Sequence, residues 1–150
     1  MTFVLLKLIH VLAVVLWVGG MAFAHFFLRP AVQPLEPPQR LALMQRVLQR
    51  FLAAAGWAVL AVLASGVALL GLARASAAMP LAWSAMAVLG VLMAAIYAHV
   101  RFVLFPRLVR AVEASDWPAA GTAMAPLRAW VGTNLGLGAL TIAVAILGRG

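Results

Sequence analysis

The chain has 150 residues, 67 % of them hydrophobic and 9 % charged, with a net charge of +8 and no cysteine. A soluble domain is about 45–50 % apolar and about 25 % charged, so an ordinary soluble fold is excluded. Disorder is excluded as well, because it needs low hydrophobicity and high charge, and so are disulfides, iron–sulfur clusters, thiolate metal sites and cysteine nucleophiles.

Four stretches reach the roughly 20 apolar residues that a bilayer crossing needs, and none alternates as a barrel strand would. The first, 3–28, is interrupted only by Lys7, His10 and His25 and ends at Arg29-Pro30. It is too long for a signal peptide and no small-x-small cleavage site follows, so it reads as a retained helix. Residues 29–50 hold four prolines and then Gln39–Arg50, a helical inward extension of the second span. That span, 51–73, has Ser65 as its only conventional polar side chain. Residues 74–79 make a tight hairpin into the third span, 80–100, which carries Ser84, Tyr97 and His99. In the connection 101–128, Ser115-Asp116-Trp117-Pro118 announces a helix start, a cap followed by an early proline. The fourth span, 129–147, carries Thr133, Asn134 and Thr141. The expected fold is an all-α membrane four-helix bundle forming a single domain, with no evident internal repeat.

Charge orients it. Arg29, Arg40, Arg46, Arg50, Arg101, Arg107, Arg110 and Arg128 lie in the first and third connections; Lys7, Arg74 and Arg149 lie on the other side. The positive-inside rule puts the arginine-rich side in the cytoplasm and both termini outside. The basic excess therefore reads as topology beside anionic lipid rather than as a nucleic-acid site.

Intramembrane polar residues are functional hypotheses by default. His10 and His25 are fifteen residues apart, roughly 22 Å along a helix, so they cannot share one ion. Counting from the arginine-rich ends puts His25, Trp57, His99 and Asn134 at one depth. His25 and His99 are expected to face each other there, supported by Asn134, Trp57 and Trp17. Two such imidazoles suit linear Cu(I) or the axial positions of haem, and Arg29 and Arg101 could hold propionates or lipid. A second layer gathers His10, Met86, Ser65 and Thr141, a His–Met–hydroxyl set compatible with soft Cu(I). Gly132-x-x-x-Gly136 and the alanines near His99 could tighten helix packing or leave width for a macrocycle. Met44, Met93 and Met124 read as filler. No carboxylate lies in any span, which argues against a proton-coupled transporter and a carboxylate hydrolase. If the chain is an enzyme, a haem-dependent oxidoreductase is the class that remains.

The run Leu6–Leu12 with His10, then Trp17-Val18-Gly19-Gly20-Met21, His25 and Leu28-Arg29-Pro30, resembles the first helix of the copper resistance protein D (CopD) family. His99, Arg101, Pro106-Arg107-Leu108-Val109-Arg110, Asp116-Trp117-Pro118-Ala119-Ala120 and Gly132-x-Asn134-x-x-Leu137-Gly138 resemble its short four-helix members. The resemblance implies an inner-membrane protein that binds copper and takes part in its transport or homeostasis, with a periplasmic copper carrier as partner. The first helix is also similar to that of the HemJ-type protoporphyrinogen oxidases. That resemblance implies haem b and an electron-transfer partner, although Lys7 is the only lysine here and their lysine-bearing helix has no match. A partner subunit without a cofactor and a homo-oligomer are both compatible with this sequence.

Overall fold

The computed structural model describes residues 1–74 and 81–148. Four helices make up the described chain: α1 (Thr2–Ala31), α2 (Pro37–Arg74), α3 (Leu81–Glu113) and α4 (Trp117–Leu147). Each is long and apolar enough to cross a bilayer, where a helix satisfies its backbone polar groups internally. The helices outrun the apolar spans: α2 begins at Pro37, so Gln39–Arg50 is the expected extension, and α3 runs on to Glu113. Asp116 caps α4, its Oδ1 accepting from the Ala119 N–H at 3.0 Å, with Pro118 in the first turn. Ser115, at φ 54°, makes the reversal before it. Beyond Arg74, the hairpin expected at 74–79 lies outside the described residues.

Two of the helices are locally widened. Ala24–Leu28 in α1 and Val100–Leu104 in α3 are π-helical turns. In each, the N–H that follows reaches back five residues, Arg29 to the Ala24 carbonyl and Phe105 to the Val100 carbonyl. The next residue is a proline both times, Pro30 and Pro106. A proline lacks the N–H and its ring crowds the carbonyl four residues back; the wider turn relieves that crowding and lets the helix continue. Such turns often mark functional positions, and these contain or adjoin His25 and His99.

The two π turns are offset by 76 residues, and the same offset pairs several buried positions. It carries buried Trp17 to Met93, Val32 to Leu108, Leu48 to Met124, Ala58 to Asn134 and Val62 to Gly138, all buried. Ser65 maps to Thr141. α1 packs chiefly on α2 and α3 on α4; across the hairpins α1 meets α4 and α2 meets α3.

Side chains fill the spaces beside several small residues. The Phe51 ring lies over Gly20, Val18 and Met93 press on Gly138, and nothing approaches Gly136, so Gly132 and Gly136 do not act as a packing pair. Tyr97 on α3 reaches across Gly56 and donates its hydroxyl to the Leu52 carbonyl at 2.8 Å. A Cβ at Gly56 would stand 2.7 Å from that oxygen. Gly56→Ala is therefore expected to cost about 1–3 kcal/mol by overpacking, and Tyr97→Phe about 1 kcal/mol. Thermal unfolding in detergent reads both, and the double variant should fall short of their sum because one contact is lost twice. Outward, Leu8, Val15, Leu60, Val67 and Val88 are exposed, a surface matched to lipid tails.

Candidate functional site

The end of the bundle holding Arg29, Arg40, Arg107 and Arg128 is the basic end. Towards the opposite end, His10 on α1 meets Ser65 on α2, with Nδ1 to Oγ at 2.9 Å. Ser65 is buried, and its Oγ also reaches the Ala61 and Val62 carbonyls of its own helix. A hydroxyl has one proton. Donated to the helix carbonyl, it leaves Oγ to accept from His10 Nδ1–H. With the ring proton on Nδ1, Nε2 is the nitrogen open to a metal, the form in which histidine binds one. Ser65→Ala is expected to weaken any metal held by His10 roughly 10–100-fold, measured by chelator competition, with helix content unchanged.

Thr141 lies 76 residues after Ser65 and has a different neighbour. Its hydroxyl donates to the Leu137 carbonyl at 2.8 Å, and Met93 Sδ lies 3.8 Å from Oγ1. The His–Met–hydroxyl layer read from the sequence is therefore divided. Ser65 joins His10, while Thr141 joins Met93, about two turns along α3 from Met86.

At the basic end His25 lines a cavity of about 40 Å³ together with Met44, Leu48, Met124 and Val131. Met44 and Met124 are buried. Gly132 leaves room for the ring: a Cβ there would be 3.9 Å from His25 Cε1. His99 packs elsewhere, edge-on against Trp130 with ring centroids 5.4 Å apart. Trp130 and Gly132 are two residues apart on α4, about 200° round the helix, so the two histidines meet opposite flanks of α4. His99, expected to face His25, does not line the His25 cavity. Trp57, expected beside them, is 77 % exposed on the outer face of α2. Trp17 is buried and stands edge-on to Tyr97 at 6.3 Å, eight residues before His25 on α1. Arg101 lies over the rings of Phe102 and Phe105.

Asn134 lies in the middle of the bundle, 3 % exposed, and its Oδ1 has no hydrogen-bond partner. A buried unpaired carbonyl costs about 1–3 kcal/mol, so this atom suits a polar guest. Met124, Val131, Asn134, Gly138 and Thr141 recur at helical spacing on α4, a stripe that leads from the His25 cavity to Met93.

Among the described residues no three His, Asp or Glu side chains gather as a metal site. The lining of the His25 cavity includes one imidazole and two thioethers, which are soft donors, beside the Arg29 and Arg128 guanidinium groups. The cavity beside His25 is about 40 Å³ and is not lined by His99, whereas cofactor pockets run about 300–1,000 Å³.

The model of one protein family, copper resistance protein D (CopD), matches residues 45–147. The chain belongs to the copper resistance protein D family. No curated protein and no solved structure matches it. The CopD match takes in Ser65, Met93, His99, Met124 and Asn134; His10, His25 and Met44 precede it. CopD membership and four bilayer-length helices make this a multi-pass membrane protein of a copper-resistance family. Met44 and Met124 were not legible as site residues, because both fall in helical extensions outside the apolar spans. The nearest signal is compositional: each is a methionine within about two turns of an arginine-rich helix end.

Proposed function

We propose that this CopD-family chain binds Cu(I) and passes it across the inner membrane, with the basic end in the cytoplasm. The observation that carries the reading is the cavity shared by His25, Met44 and Met124. Imidazole and thioether are neutral and soft, which suits Cu(I) and leaves hard cations such as Mg²⁺ without the oxygen donors they require. His10, its Nε2 freed by Ser65, is the entry ligand and takes Cu(I) from a periplasmic carrier. Val18, beside Met93 and Gly138, is about 12 Å inward of His10 on α1. The chain of soft or polar groups then runs from His10 to Met93 and Thr141, past Asn134, to the His25 cavity. With neutral ligands the moving species keeps its positive charge, so a potential negative inside favours inward movement by about 2.3 kcal/mol per 100 mV.

The test uses the full chain purified in mild detergent and then placed in liposomes. The protein is expected to be colourless, to take up Cu(I) in competition with a chromogenic chelator, and to admit Cu(I) to the liposome interior. A sharp Soret band, or no uptake above protein-free liposomes, overturns the reading. Orientation is checked separately: a reporter fused after Ser115 is expected in the cytoplasm and one at the N-terminus outside, and the reverse pattern refutes the assignment of ends.

A further inference from the structure

A second cavity, of about 190 Å³, opens at the basic end where α1 finishes and where α2 and α4 begin. Three guanidinium-bearing residues from three helices line it: Arg29 of α1, Arg40 of α2 and Arg128 of α4. No acid lines it, and the charges that act on Arg128 are those of Arg29 and Arg40. Arg40 is oriented by Gln33, whose backbone and side-chain oxygens each lie 3.5 Å from Nη1.

The positive-inside rule explains why arginines are on this side but not why three of them converge. Arg46, Arg50, Arg107 and Arg110 serve the same topological role without lining the cleft. Like charges brought together without an acid repel one another, and the arrangement is favoured when an anion sits among them. Guanidinium forks match the oxygens of a phosphate, which they bind in a bidentate manner. Val32 and Leu41 give the cleft an apolar floor, and Trp117 stands at its wall. A tryptophan beside an apolar floor is typical of headgroup depth.

We propose that Arg29, Arg40 and Arg128 form a binding cleft for a phosphate oxyanion, carried by a cytoplasmic-leaflet phospholipid headgroup or by a small soluble phosphate. The cleft adjoins the His25 cavity and shares Arg29, Met44, Met124 and Arg128 with it; Arg40 lines the cleft alone and His25 the other cavity alone. The proposal stands whether or not the chain carries copper.

The experiment compares the full-length chain with Arg29→Gln/Arg40→Gln/Arg128→Gln and with Arg46→Gln/Arg107→Gln/Arg110→Gln. The second variant removes the same charge from outside the cleft. Native mass spectrometry from detergent containing equal phosphatidylglycerol and phosphatidylcholine reads bound lipid; thermal shift with inorganic phosphate reads the soluble form. The wild type and the outside variant are expected to hold phosphatidylglycerol alike, and the cleft variant to lose it roughly 10-fold or more. If the cleft variant instead loses only the phosphate-induced thermal shift, the oxyanion is soluble and the cleft is upheld. If both triple variants behave alike towards both probes, the arginines are topology alone and the proposal falls. Single Arg29→Gln and Arg40→Gln, near the solvent-facing helix ends, give the same comparison should the triple variant fail to fold.

Discussion

His25→Ala is expected to lower Cu(I) affinity at the basic end by about 100-fold or more, beyond the range seen for supporting residues. His25 supplies the only imidazole in a cavity lined also by the Met44 and Met124 thioethers and by Arg29 and Arg128. Met44→Leu and Met124→Leu are each expected to cost about 10-fold, the weaker effect reflecting a weaker donor. Leucine is close enough in volume that the fold should lose less than about 1.5 kcal/mol, so a melting curve separates lost ligation from lost packing. His99→Ala is the discriminating control. Its ring rests on Trp130, on the other flank of α4, and its removal should leave affinity within about twofold. Chelator competition on the four purified variants measures all of this. Equal losses for His25→Ala and His99→Ala would restore a histidine pair as the site and remove the methionines from it.

Asn134→Leu is expected to raise stability and slow transport together. Its Oδ1 is buried and unpaired, so replacing the amide by a hydrocarbon of similar size removes a desolvation cost of about 1–3 kcal/mol. Natural chains keep such a cost where function uses it. Asn134 lies on the α4 stripe between Met93 and the His25 cavity, so equilibrium binding of Cu(I) at His25 should barely change while uptake into liposomes falls severalfold. Thermal unfolding and Cu(I) flux are the two readouts. A variant that melts lower, with unchanged flux, would make Asn134 a packing residue and break the path at its middle.

Much of this architecture follows from local rules that the amino-acid order carries alone. Twenty apolar residues in a row span a bilayer whatever surrounds them, and for that reason the four crossings were legible. Asp116 caps α4 through its own neighbour Ala119, a bond between residues three apart, so Ser115-Asp116-Trp117-Pro118 announced the helix start. The resemblance to CopD rested on short motifs, and the family match bears it out. Depth along each helix followed from the 1.5 Å rise and correctly separated His10 from His25. Rotation about each helix axis did not follow from anything local. In water a helix shows an apolar stripe that reveals its inner face; in lipid, tails are as apolar as leucine, and both faces of α1 and α3 read alike. The inward placing of Trp57 depended on that missing angle. Only packing supplied it: Gly132 admitted His25 to one flank of α4, Trp130 took His99 on the other, and Met44 and Met124 closed the cavity from helical extensions that no hydrophobicity pattern had marked.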